Sequence, residues 1–263
     1  MKAYQDASLA PVRRAKALLE EMTLAEKIGQ LNQRLYGFRI YERKCVNGED
    51  TIELSEEFCQ EVEKYSGLGV LYGLYRADPW ADKNYETGLT GVLSKKAYNQ
   101  VQRYVLEHSR LGIPVMMSSE CPHGHQALDG YLLPVNLLAG ATFDPAMVRA
   151  AYRVSGRQLQ NMGVDLALMS MLDVLRDPRW GRSEECYSED PYLSARMAEA
   201  AVIGMQESGP EVVAKHFAAQ GEGTGGVNAS AARIGERELR EIHFPPAAAA
   251  IKAGAKGIMA AYN

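Results

Sequence analysis

Apolar and polar residues alternate along this chain with two different periods, and the chain switches repeatedly between them. The segment "MTLAEKIGQL" opens on Thr23 with Glu26 three residues on, a reciprocal capping pattern, and Leu24, Ile28 and Leu31 then share one helical face. "GLGVLYG", residues 67–73, is a short apolar run closed by glycines. "SKKAYNQVQRYVLEHSRLG" repeats apolar groups at Ala97, Val101 and Val105 and stops at Gly112, which predicts a helix. "IPVMMSS" reads as a buried strand. "FDPAMVRAAYRVSGRQLQNMG" predicts a helix capped by Asp144 with Pro145 in its first turn, carrying Val148, Tyr152, Ser155, Leu159 and Met162 on one stripe up to Gly163. A third strand follows in "VDLALMSMLD". A second Asp-Pro helix starts at Asp190 and Pro191, and "EVVAKHF" is a fourth strand. "GERELREIHFPPAAAAIKAG" predicts a helix broken near Pro245 and Pro246, and "GIMAAYN" a fifth strand.

Strand and helix in strict succession argue for an α/β fold with a parallel sheet and right-handed crossovers, either open and doubly wound or closed as a (β/α)8 barrel. In both, chemistry gathers at the C-terminal ends of the strands, where the unusual residues of this chain fall. Glu120 and His123 follow the second strand, Asp173 and several arginines the third, Lys215 and His216 end the fourth, and Tyr262 and Asn263 follow the fifth.

With 263 residues, 46% of them hydrophobic and 24% charged, the whole chain can form one soluble domain with a sizeable core. The net charge of −4 leaves no basic footprint for a phosphate backbone, which argues against nucleic acid as a partner. The longest apolar window, Tyr131–Phe143, is interrupted by Pro134 and Asn136 and is too short to span a bilayer, so no membrane partner is expected. The N-terminal residues lack the apolar core of a secretory signal, which predicts a cytoplasmic location, and the four cysteines form no CxxC pair.

Each candidate group has a plainer reading. A single strand histidine is more often a core residue bonded to backbone, but Lys215 beside His216 needs a polar partner at an interior strand end. In "ECPHGHQ" the spacing of Cys121, His123 and His125 fits neither a zinc knuckle nor a helical His pair. Asp177, Arg179, Arg182, Glu184 and Glu185 form, for the most part, a salt-bridge cluster that pins a loop. "GEGTGG" matches the GxGxxG pattern, with Glu238 or Glu241 downstream, yet no helix opens from its glycines, so a dinucleotide-dependent oxidoreductase is only a distant reading. No cofactor or metal is required.

The motifs "ECPHGHQ", "DVLRDPRWGRSEECYSEDPYL", "AKHF" and "ERELREIHFPPAAAAIKAGAKGIMAAYN", which occur in this order, resemble the N-terminal catalytic domain of glycoside hydrolase family 3, the β-glucosidase and β-xylosidase type. The resemblance runs from the "MTLAEKIGQL" helix to Asn263 and implies that residues 1–263 are a partial barrel domain with about five of eight strands. It further implies that Glu120, Arg182, Lys215, His216 and Tyr262 hydrogen-bond the hydroxyls of a non-reducing terminal sugar of a β-glucoside, β-xyloside or short oligosaccharide. Many members carry Asp where this chain has Glu120, a departure that touches sugar preference. The loop "AAQGEGTGG" lacks the pattern of the branch that cleaves N-acetylglucosamine, which favours glucose or xylose. Retaining glycosidases divide their work between two carboxyl groups about 5 Å apart. The resemblance places the nucleophile on the strand after "AAYN" and the acid/base in a second domain, so both are expected beyond Asn263. A non-catalytic sugar-binding remnant of the same fold is the alternative.

Overall fold

The computed structural model describes residues 2–263, which form two compact units: residues 2–74 with 92–116, and residues 75–91 with 117–263. The first unit holds helices α1 (Pro11–Glu21) and α2 (Leu24–Leu31), a hairpin of β1 (Tyr41–Val46) and β2 (Glu49–Leu54), α3 (Glu56–Tyr65), β3 (Val70–Tyr72) and, from Val92 on, α4 (Gly91–Glu107). The capping box at Thr23 is present, since the Thr23 hydroxyl accepts from the Glu26 amide and the Glu26 carboxylate accepts from the Thr23 amide.

The apolar stripe of α2 does not face inward. Leu24, Ile28 and Leu31 are exposed, and the opposite face, Glu26 and Gly29, is buried. Two specific contacts override the periodicity. A β-carbon on Gly29 would lie 2.6 Å from that of Tyr65, so only glycine lets α2 rest on the end of α3. Glu26 receives Arg110 Nε at 2.9 Å and Nη2 at 2.7 Å. This guanidinium, chiefly, holds the Glu26 carboxyl down at about 2, against an ordinary value near 4.5. A carboxylate depressed in the folded state stabilises fully above its unfolded value and loses that contribution as pH falls through its folded value. Glu26→Gln should therefore destabilise the protein by about 1–3 kcal/mol at neutral pH. The gap should shrink between pH 4.5 and 2; paired melts across that range would reveal a constant gap if the pair contributes nothing.

The second unit carries the parallel sheet. Its strands β4 (Met116–Glu120), β5 (Leu166–Ser170), β6 (Glu211–Phe217) and β7 (Gly257–Ala260) pair in chain order, with Glu120 opposite Leu168, Leu168 opposite Val213, and Val213 opposite Gly257. The order runs one way with no switch point, as the wall of a barrel does. Between strands lie α5 (Asn136–Gly140), α6 (Pro145–Asn161), α7 (Pro191–Gln206), the short α8 (Glu236–Glu238) and α9 (Phe244–Lys252). Asp144 and Asp190 cap α6 and α7 through their side chains, with proline in each first turn as the sequence implies. The buried stripe of α6 is Val148, Tyr152, Ser155 and Leu159 with Gly156, while Met162 caps its end. α7 packs against both α6 and α9.

Together with β3 this makes five strands alternating with helices, an α/β fold and an incomplete barrel. The break expected at Pro245 and Pro246 lies one turn earlier. Both prolines sit in the first turn of α9, where the helix does not need their amides, and the irregularity is a π turn, Leu239–His243, just before them. Among the described residues no helix is long and apolar enough to cross a membrane.

Candidate sugar-binding site

Two charged groups of side chains meet at the C-terminal ends of β4, β5, β6 and β7, all inside the second unit. The first joins neighbouring strand ends: Lys215 Nζ donates to Glu120 Oε2 at 2.6 Å, and both side chains are buried, 5% and 11% exposed. Arg76, from the 75–91 segment, brings its guanidinium to 3.8 Å from the other carboxylate oxygen. Glu120 thus lies between two cations.

The second group is built around His216. Its Nδ1 lies 2.7 Å from Asp173 Oδ2, and its Nε2 lies 3.1 Å from Arg182 Nη2. A guanidinium can only donate, so Nε2 accepts and the ring proton sits on Nδ1, donated to Asp173. Asp173 also accepts the backbone amides of His216 at 3.3 Å and Gln220 at 3.1 Å. One carboxylate therefore fixes the histidine ring and the loop that follows it.

Arg182 is positioned by its own loop. A 3-10 turn, Ser183–Glu185, places residues 182 and 185 on one face, where Glu185 receives Nε at 2.5 Å and Nη2 at 2.7 Å. The guanidinium also lies over Trp180, which is buried and donates its indole N–H to Asn228 at 3.0 Å. Burial works against the charge of Arg182, but the Glu185 carboxylate, with Asp173 and Glu120 beyond it, more than offsets this and holds its pKa above the ordinary value. The Trp-Gly-Arg stretch thus anchors one ring and presents one cation.

Tyr262, just past β7, is exposed, with its ring 6.1 Å from that of His216, and its amide donates to Gln220 Oε1 at 3.1 Å. At the end of β6, the Lys215–His216 and Phe217–Ala218 peptide bonds are cis. The amides of Met171 and Leu172 both donate to the Lys215 carbonyl at 3.0 Å, which ties the β5 exit to this strand end.

All five residues singled out from sequence, Glu120, Arg182, Lys215, His216 and Tyr262, come together here. Asp173, Glu185 and Arg76 join them. Asp173 is one of the strand-end groups that the sequence marks, and Glu185 belongs to the charged cluster of the following loop; Arg76 has no signal, because its segment matches no periodic pattern. The other motifs do different work. His125 is buried, with Nε2 at 2.9 Å from the Ser119 hydroxyl, and burial pushes its pKa down to about 4. Burial likewise raises the Cys121 thiol, and no cluster suited to a metal ion occurs among the described residues. Asp177 and Arg179 pair with each other at 2.6 Å in the loop before Trp180. "GEGTGG" forms two 3-10 turns, Gln220–Glu222 and Thr224–Gly226, and a β-carbon on Gly221 would sit 3.2 Å from the Trp180 ring. Gly221 and Gly226 serve close packing on the Arg179–Trp180 stretch, not the start of a phosphate-binding helix.

Chemically, this is a wall of charged donors and acceptors, largely withdrawn from water. Such groups stabilise a fold poorly compared with apolar residues of the same volume. They are suited to a ligand that offers many neutral hydroxyls, because charged partners bind these about twice as strongly as neutral ones.

Comparison with known proteins gives a consistent result. The family model "Glycosyl hydrolase family 3 N terminal domain" matches residues 23–263. A β-xylosidase of Formosa agariphila is 33% identical over 70% of this chain and 27% of its own. A β-glucosidase structure from Erythrobacter marinus superimposes with a TM-score of 0.80 at 31% identity, covering 99% of this chain and 33% of that one. A β-glucosidase from Listeria innocua, solved in complex with glucose, gives 0.76 at 28% identity over 95% of this chain and 33% of its own. The chain spans about a third of the length of the relatives it matches.

Proposed function

Because the chain belongs to the family of glycosyl hydrolase family 3 N-terminal domains, we propose that it supplies the sugar-binding wall of a β-glycosidase that releases non-reducing terminal glucose or xylose. The observation that carries this reading is the meeting of the Lys215–Glu120 pair with the Asp173–His216–Arg182–Glu185 chain at adjacent strand ends. Lys215 gives one of its three donors to Glu120 and offers the others to sugar hydroxyls. Arg182 commits Nε and Nη2 to Glu185 and His216 and offers Nη1. Both ring nitrogens of His216 are engaged, so this residue holds Arg182 in place until a hydroxyl competes for Nε2. Tyr262 closes the same side with its exposed ring.

In this reading the reaction retains configuration. An aspartate on the strand after β7 attacks the anomeric carbon and a carboxyl from a further domain protonates the leaving oxygen, with the two groups about 5 Å apart. In this reading Glu120 and Asp173, bound to Lys215 and His216, serve the binding wall.

The test is to assay the full-length gene product that carries this chain on nitrophenyl β-glucoside and β-xyloside. Hydrolysis with the β-anomer released first, inhibited competitively by glucose or xylose, is expected. Sugar binding without hydrolysis would favour the non-catalytic alternative. Failure to bind or cleave either sugar would refute both.

A further inference from the structure

Resting on the reading of these strand ends as a sugar wall, we infer that Glu222 and His243 are positioning residues, a carboxylate–histidine pair that anchors the turn after β6 and through it the shape of the wall. That turn, Ala219–Glu222, is a junction. The Gln220 amide donates to Asp173 at 3.1 Å, the Gln220 side-chain oxygen takes the Tyr262 amide at 3.1 Å, and the Ala219 carbonyl takes the Asn263 side chain at 2.9 Å. Gln220 Nε2 reaches Asn228, which receives the Trp180 indole, and Gly221 packs on that ring. Asp173, Tyr262 and Trp180 are thereby tied to one short stretch of backbone.

The stretch does not keep this shape unaided. Ala219 has a φ of 62°, a left-handed conformation that alanine adopts only where its surroundings impose it. The turn closes with the Glu222 amide on the Ala219 carbonyl at 3.0 Å, and the Glu222 side chain runs on to two partners. His243 Nε2 lies 3.3 Å from Glu222 Oε1, and Arg176 Nε lies 3.5 Å from the same oxygen. The π turn Leu239–His243 ends on this histidine, whose side chain is 1% exposed. Neither of its ring nitrogens, nor Glu222 Oε1, has an aligned hydrogen bond among the described residues. Buried polar groups left in that state are costly, so a proton has a strong effect here.

The charges around the pair decide when the anchor works. Burial pushes His243 below its ordinary 6.5 and Glu222 above its ordinary 4.5. Arg176 opposes the rise of Glu222, and Asp177 and Glu238 add to it; Asp173 and Glu238 oppose the fall of His243, and Arg176 adds to it. Above pH 6.5 the histidine is neutral and the carboxylate charged, so Glu222 balances Arg176 and attracts the Nε2 proton. A proton taken up as pH falls from 6.5 to 4.5 ends that balance wherever it lands. On Glu222 it removes the charge that holds Arg176, and on His243 it adds a buried cation near Arg176. The turn then loses its anchor, and Asp173 and Tyr262 lose their fixed neighbour.

The experiment measures the dissociation constants of glucose and xylose on the full-length gene product at about pH 7.5 and about pH 5. The wild type should bind about 3- to 10-fold more weakly at the lower pH. At the higher pH, Glu222→Leu and His243→Leu should each lose about 3- to 10-fold in affinity, and Glu222→Gln and His243→Gln should recover most of that loss. The double variant Glu222→Gln, His243→Gln keeps the volumes and cannot titrate, so its weakening on acidification should be at least about 2-fold smaller than that of the wild type. Variants that lose melting temperature but keep both the wild-type affinity and its pH dependence would overturn the positioning role and leave the sugar wall standing. Should the leucine variants fail to fold, the double glutamine variant decides alone, and wild-type pH dependence in it overturns the inference. Wild-type protein that binds neither sugar would overturn the sugar wall itself, and the positioning role with it.

Discussion

Lys215→Met should lower kcat/KM on an aryl β-glucoside or β-xyloside by about 30- to 1,000-fold in the full-length gene product, the equivalent of about 2–4 kcal/mol of transition-state stabilisation. The substitution keeps an unbranched apolar stem of four atoms and removes the ammonium, so the lost contacts are those to Glu120 and to the sugar. It also leaves the Glu120 carboxylate buried without its 2.6 Å partner, which destabilises the fold by about 3–5 kcal/mol. The two effects can be separated. A Lys215→Met, Glu120→Leu double variant removes both charges and should regain most of the stability while staying inactive. Wild-type kcat/KM in the single variant would remove Lys215 from the site.

Asp173→Asn should cost at least about 100-fold in kcat/KM and about 1–3 kcal/mol of stability. The aspartate accepts three hydrogen bonds, from the His216 ring, the His216 amide and the Gln220 amide. An asparagine has one acceptor oxygen and must turn its amide donors toward one of these groups. If the donor faces the ring, the imidazole proton moves to Nε2, where it meets the Arg182 guanidinium and breaks that contact. Kinetics and a thermal melt on the same preparation check both figures. Activity within about threefold of wild type would show that His216 does not depend on Asp173 for its orientation.

The parts of this fold that can be read in the sequence are those where one local rule acts alone. The Asp-Pro starts of α6 and α7 satisfy their own helix ends, and the strand ending in Lys215 and His216 is marked by a charge pair that an interior sheet does not tolerate without partners. The stripe of α2 misleads because Gly29 and Glu26 make specific contacts on the opposite face, and hydrophobicity has no view of a steric fit or an ion pair. The hairpin β1–β2 turns on an Asn-Gly pair, a local rule of the same kind. Asn47 and Gly48 both adopt positive φ, 53° and 80°, which is the turn that an Asn-Gly pair encodes. At the site, strand-end position pointed to Glu120, Asp173, Lys215, His216 and Tyr262, and the family resemblance singled out Arg182 among the arginines that follow β5. Arg76 stayed hidden because its partner Glu120 is 44 residues away in sequence, and only the fold brings the two together.

The most direct measurement is a crystal structure of the full-length gene product soaked with glucose or xylose. A monosaccharide with hydroxyls within hydrogen-bond distance of Lys215 Nζ, the Glu120 carboxylate and Arg182, beside the His216 and Tyr262 rings, is the predicted result. A saturating sugar bound elsewhere, with the Lys215–Glu120 and Arg182–His216 groups untouched, would contradict it.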